Sequence, residues 1–126
     1  MTMSNKSLGK RGEDTAAEYL QKNGYEIRER NFRYKSFGET DIVARKKGKL
    51  IFVEVKAIKT RPNFWPEDQI TAKKQKQLRK MTQIYLLSKK LPQDTPCQID
   101  IIAIEFDENG RLAALRHHQN ALEDNG

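Results

Sequence analysis

At 126 residues, 37% of them hydrophobic and a third charged, the chain is sized for one soluble domain with one core, and no apolar run nears the roughly 18 residues of a membrane span. Its net charge of +7 is uneven: residues 1–90 hold 22 Lys and Arg against 10 Asp and Glu, whereas residues 91–126 hold 2 against 7, a basic body that suits a polyanion partner as well as it suits plain solvation. The basic N-terminus has no apolar segment after it, so it is not a secretory signal, and the single Cys97 excludes an internal disulfide and has no Cys or His at zinc-ligand spacing, which together fit the cytoplasm.

Residues 1–7 are expected to be disordered, 8–118 to form the domain, and 119–126 to be an acidic tail. A helix is predicted over 7–23, stopped by Asn23-Gly24, with Ala16, Ala17 and Leu20 as its apolar stripe. Glu13 lies three, four and seven residues before them, so it falls on the inward stripe as a functional acid or as an edge residue paired with Lys10 or Arg11. Residues 25–33 alternate as a strand, with Tyr25, Ile27 and Glu29 on one side and Glu26, Arg28 and Arg30 on the other. The run N-F-R-Y-K that follows, with Arg33 at its centre, interleaves aromatics and cations. It suits stacking on bases and neutralising phosphates, although such runs are more often core rings flanked by solvated charge.

The stretch F-G-E-T-D-I-V-A-R-K-K-G-K-L-I-F-V-E-V-K reads as two strands, 41–45 and 50–57, joined by a tight turn over Lys46-Lys47-Gly48-Lys49, with Gly48 supplying the unusual φ. Period-2 alternation sends Glu54 and Lys56 to one face and Ile51, Val53 and Val55 to the other, and the hairpin returns Asp41 to their level. Residues 58–67, with two prolines and the only tryptophan, Trp65, read as a loop. A long helix is predicted over 66–90 with Ile70, Leu78, Met81, Ile84 and Tyr85 as its stripe. Its first half carries Lys73, Lys74, Lys76, Arg79 and Lys80 without a balancing acid. Like charges at helical spacing repel, so a one-sign face costs stability that bound phosphate would offset. Residues 97–106 read as a buried strand that makes a strand-helix-strand crossover, parallel and right-handed, and 112–115 as a short edge strand. His117 and His118, adjacent and pointing apart, read as surface residues.

A carboxylate inside an apolar strand is costly unless it is paired or binds a metal. Asp41 and Glu54 offer hard oxygen ligands to Mg²⁺, and Lys56 could orient or deprotonate an attacking water or offset charge on phosphorus. These are the parts of a metal-assisted phosphodiester hydrolase; an incidental Glu54–Lys56 ion pair beside an unrelated Asp41 is the plain alternative.

The pattern D-(x12)-E-x-K, after one helix and before a basic one, resembles the PD-(D/E)xK nuclease superfamily. The closer resemblance is to the largely uncharacterised YraN-like bacterial family, itself similar to archaeal Holliday junction resolvases. It is carried by G-K-R-G-E-D-T-A-A-E-Y-L, G-Y-E-I-R-E-R-N-F-R, G-E-T-D-I-V-A, F-V-E-V-K, K-K-Q-K-Q-L and C-Q-I-D-I-I-A-I, in order over 8–118. The resemblance implies an α/β fold, a restriction-endonuclease-like mixed sheet flanked by helices with an α-β-β-β-α-β core. It implies Asp41, Glu54 and Glu13 as metal-binding acids, Lys56 as the catalytic lysine, and Lys74 or Gln75 as a supporting polar group. Glu39 matches the acid of the family's G-E-I-D, with Thr40 here in the apolar place, and the superfamily's proline before the first acid is absent. The expectation is a Mg²⁺- or Mn²⁺-dependent, structure-selective DNA endonuclease acting on branched DNA as a homodimer. Its contacts to nucleic acid would come from Arg33, Lys73, Lys74, Gln75, Lys76, Arg79 and Lys80. The alternatives are a non-catalytic nucleic-acid-binding protein of the same fold and an accessory protein whose basic face meets an acidic protein.

Overall fold

A computed structural model describes residues 4–122; residues 1–3 and the acids Glu123 and Asp124 of the expected tail lie outside the described residues. The order is α1 (Asn5–Lys22), β1 (Glu26–Tyr34), β2 (Gly38–Lys46), β3 (Lys49–Lys59), a 3₁₀ turn (Pro66–Gln69), α2 (Ala72–Ser88), β4 (Cys97–Phe106) and β5 (Leu112–His118). The strands form one mixed sheet in the order β1-β2-β3-β4-β5, with β3 and β4 parallel and all other pairs antiparallel. The expected succession of helix, three strands, helix and strand is present, and β5 extends the sheet by one strand.

Alternation along β3 sorts the two cores. Ile51 and Val53 join Ala16, Ala17 and Leu20 under α1, while Leu50 and Phe52 join Met81, Tyr85 and Leu86 under α2. Each fully buried aliphatic side chain of this kind contributes about 1.5–3 kcal/mol. The β2–β3 turn needs left-handed backbone at two successive residues, Lys47 at φ 51° and Gly48 at φ 76°, which matches the twist of the flanking strands. Helix α1 starts at Asn5, earlier than expected, because the Ser4 hydroxyl accepts the Ser7 N–H at 3.1 Å and caps it. It ends as expected at Asn23 and Gly24, with the Tyr25 N–H closing back on the Leu20 carbonyl at 2.9 Å.

Four expectations need correction. The helix expected over 66–90 is two elements, because Ile70 is extended and Thr71 restarts the chain by accepting the Lys74 N–H at 3.1 Å. The loop expected from 58 begins later, since β3 runs to Lys59. The simple two-faced β1 is broken by a register shift between Ile27 and Glu29, so Ile27 packs under α1 while Glu29 pairs with Lys89 beyond α2 at 2.9 Å. His117 is no surface residue: its side chain is 5% exposed, with Nε2 2.7 Å from Asp100 Oδ2 and Nδ1 2.9 Å from the Tyr19 hydroxyl. Asp100 is fully buried and also accepts from Gln98 Nε2 and the Asn120 N–H, so this network ties β5 and the end of the described chain to the core. His118 does point outwards, as expected, towards Glu67.

Candidate metal centre and nucleic-acid face

Strand pairing carries Asp41 to the level of Glu54, since Ile42 lies opposite Val53. The Val55 N–H donates to Asp41 Oδ2 at 2.8 Å, and the carboxyl shares a hydrogen bond with Glu54. Burial pushes the Asp41 carboxyl up to about 8, aided by the charge of Glu54, by that shared hydrogen bond and by Glu39, with the Val55 N–H opposing. The Asp41–Glu54 pair therefore retains a proton at neutral pH in the metal-free protein.

Glu13, Glu39 and Asp41 bring one carboxylate oxygen each within 4.8 Å of one another. Helix α1 supplies Glu13 because Gly12 lets it lie close on β3; a Cβ at Gly12 would stand 2.4 Å from the Ala57 Cβ. Burial holds the Glu13 carboxyl above its usual range, with Asp41 and Glu39 adding and Arg30 and a hydrogen bond from Asn31 opposing. Arg30 lies 3.8 Å from Glu13 and 2.7 Å from Asp14, while Lys10 takes Asp14 rather than Glu13. Glu39, two residues before Asp41 on β2, is bonded by Arg33 at 2.6 Å. Sequence reasoning left Glu39 without a role, although the G-E-T-D spacing places it two positions from Asp41 along the same strand.

Glu54 is buried, and Lys74 Nζ lies 3.2 Å from its Oε2. Lys74, expected both among the phosphate contacts and as a supporting polar group of the site, thus lies against the buried acid. Lys56 is exposed on the Glu54 side of β3 and, among the described residues, forms no ion pair. The donor set fits a hard divalent cation: crowded carboxylate oxygens, and a proton retained at about 8 where a cation would replace it. Glu13, Glu39 and Asp41 could hold such an ion, with Glu54 joining once Lys74 releases it.

The other expected nucleic-acid contacts are divided by the fold. Lys73, Lys76 and Lys80 are exposed and, with Lys74, Gln77, Thr71 and Phe37, line an open cleft of about 460 Å³. Phe37 is 46% exposed, with the Lys80 ammonium 4.7 Å from its ring centroid. Gln77, not singled out in the sequence, anchors the start of β2 by donating to the Phe37 carbonyl at 3.0 Å. Gln75 turns inwards and donates to the Ile70 carbonyl at 3.3 Å, bridging the break before α2. Arg79 is partly buried on α2, and Arg33 is engaged by Glu39.

A family model described as uncharacterised protein family UPF0102 matches residues 12–104, a span holding Glu13, Glu39, Asp41, Glu54, Lys56 and all of α2. A UPF0102 protein of Desulforamulus reducens is 38% identical over 123 residues, 97% of this chain and 100% of that protein. One from Lachnoclostridium phytofermentans is 42% identical over 106 residues, covering 84% and 89%. Another, from Syntrophotalea carbinolica, is 40% identical over 126 residues, covering 100% and 99%.

Proposed function

Because the chain belongs to the UPF0102 family, the YraN-like family whose description states no activity, its chemistry has to be read from the site, and we propose that it is a Mg²⁺- or Mn²⁺-dependent endonuclease of the PD-(D/E)xK type. The observation that carries this reading is the convergence of Glu13, Glu39 and Asp41 within 4.8 Å, hydrogen-bonded onward to Glu54 on the strand that also bears Lys56. A bound divalent ion supplies a Lewis acid for the phosphoryl oxygens and lowers the pKa of its water. The chain's own residues do the rest. Glu13, Glu39 and Asp41 gather the oxygen ligands, and the Val55 N–H fixes Asp41. Lys56, free of ion pairs among the described residues, can orient the attacking water or meet charge developing on the phosphoryl group. The exposed Lys73, Lys76 and Lys80 offer contacts to the sugar-phosphate backbone of DNA. Symmetric cleavage of a four-way junction, as by the Holliday junction resolvases this chain resembles, would want two such sites and hence a homodimer in the cytoplasm.

One observation favours a second reading, a non-catalytic nucleic-acid-binding protein of the same fold: Lys74 already neutralises Glu54 at 3.2 Å. The experiment incubates the purified chain with a four-way junction, a matched duplex and a single strand in Mg²⁺, Mn²⁺ or EDTA, beside Glu54→Gln and Lys56→Ala. Metal-dependent nicking by the native chain, lost in both variants with binding retained, is expected. Binding by all three proteins without cleavage in any metal would establish the second reading and sink the first.

A further inference from the structure

Strand β3, which carries Glu54 and Lys56, runs to Lys59 and delivers the chain into residues 60–65 and the 3₁₀ turn. Pro66 is buried, and the turn packs on both β3 and β4. Just before it stands Trp65, the only tryptophan, 53% exposed. The ring is exposed but not loose. The Arg116 guanidinium of β5 lies 4.7 Å from its centroid. That guanidinium is clamped in turn, donating from Nε and Nη2 to Glu67 at 2.6 and 2.9 Å and from Nη2 to Glu105 of β4 at 2.6 Å. Three elements thus converge to hold one side of an indole whose remainder faces solvent.

Leaving a large ring more than half exposed forfeits its burial, and fixing it from beneath prepays the ordering that a stacking partner would otherwise cost. The surroundings state which partner. Lys56, Lys59, Arg61 and Lys73 are exposed on the flanking segments, and the Arg61 guanidinium lies 4.3 Å from the neighbouring Phe64 ring. Of the two acids in the turn, Glu67 is taken up by Arg116 and His118, leaving Asp68. An apolar plate among cations matches an apolar plate among anions, which is a nucleobase between phosphates. Within a continuous duplex each base face is covered by its neighbours, so only an unpaired or unstacked base offers a face to such a plate.

We propose that Trp65, on the segment that follows the strand bearing Glu54 and Lys56, is a stacking platform for an unpaired nucleobase, which makes the substrate class nucleic acid with a single-stranded or unstacked segment rather than uninterrupted duplex. This deepens, and rests on, the nucleic-acid reading above. Trp65 also reports on itself, because intrinsic tryptophan fluorescence comes from this one ring. The native full chain is titrated in EDTA, at fixed ionic strength, with oligo-dT, with a matched duplex and with heparin as a polyanion lacking bases. Fluorescence is followed at equal occupancy, and affinity is measured separately by competition.

Oligo-dT is expected to quench the emission, and duplex and heparin are not. Trp65→Ala is expected to weaken oligo-dT binding about tenfold while changing duplex binding less than about twofold, with Trp65→Phe restoring most of the loss. Circular dichroism melts check that the variants fold, as an exposed position allows. Equal quenching by heparin or duplex, or unaltered oligo-dT affinity in Trp65→Ala, would overturn the proposal. Working in EDTA separates the two readings. Quenching by oligo-dT in a chain that cuts nothing in Mg²⁺ supports the platform and removes the nuclease. Metal-dependent cutting with no oligo-dT quenching removes the platform alone.

Discussion

Asp41 shows how much one carboxyl can hold in tension. Its proton is retained up to about 8, against 3.8 for an ordinary aspartate, because it is buried against Glu54. Between those values the unfolded chain has released the proton and the folded chain still holds it, so stability falls as pH rises from about 4 towards about 8 and is unaffected below that window. Asp41→Asn is expected to flatten this slope and to raise the melting temperature at pH near 8. Mg²⁺ has to displace the same proton, so the thermal shift it produces in the native chain should grow as pH rises towards 8. Melts at acid and alkaline pH, with and without Mg²⁺, check both; a native slope equal to that of Asp41→Asn would place the proton elsewhere. Asp41, Glu54 and Lys56 were legible as a group because the hairpin that joins them is local. The pairing of Lys74 with Glu54 was not legible, because nothing within its own helix reveals the buried acid on β3.

Among the elements, the contact between α1 and β3 sets where Glu13 stands. Gly12 leaves room for one Cβ at most between helix and strand, and Ala57 already supplies it, 2.4 Å from where a Gly12 Cβ would be. Gly12→Ala is therefore expected to push the helix outwards, costing about 1–3 kcal/mol of stability and weakening metal binding by displacing Glu13. Gly12→Ala combined with Ala57→Gly again places one Cβ in the gap and should recover most of both losses, a non-additive result that urea unfolding and calorimetric titration with Mn²⁺ would reveal. Additive losses would mean that the gap is not the constraint. The sequence marked Glu13 through its spacing from Ala16, Ala17 and Leu20, but Gly12 drew no notice, since a glycine needed for close approach looks like any other until its neighbour across the sheet is known.

For the molecule as a whole, charge is segregated in sequence and in space. Among the described residues the exposed Lys56, Arg61, Lys73, Lys76 and Lys80 form no ion pair, while Glu67 and Glu105 are consumed by Arg116. If about five of these cations meet phosphates, the logarithm of the binding constant for DNA should fall with the logarithm of salt at a slope of about −4.5 for duplex. Lys76→Ala and Lys80→Ala should each reduce that slope by about 1, uniformly across DNA sequences. Binding that is insensitive to salt would remove the phosphate-contact account and favour an apolar partner surface.

What the sequence determined by itself was whatever depends on neighbours along the chain: the period-2 strands, the turn over Lys46 to Lys49, the Asn23-Gly24 stop, the buried run of β4, and family membership through motifs in order. These follow from local backbone preference and from alternation, which need no knowledge of distant residues. Only tertiary structure decided the break at Ile70 and Thr71, where Arg116 draws Glu67 and the 3₁₀ turn towards β5. It also decided the burial of His117, whose partners Tyr19 and Asp100 lie 98 and 17 residues away, the pairing of Lys74 with Glu54, and the addition of Glu39 to the carboxylate cluster. Each of these turns on which charges the sheet brings together across long stretches of chain, and the free energy of a charge depends on that surrounding rather than on its neighbours in sequence.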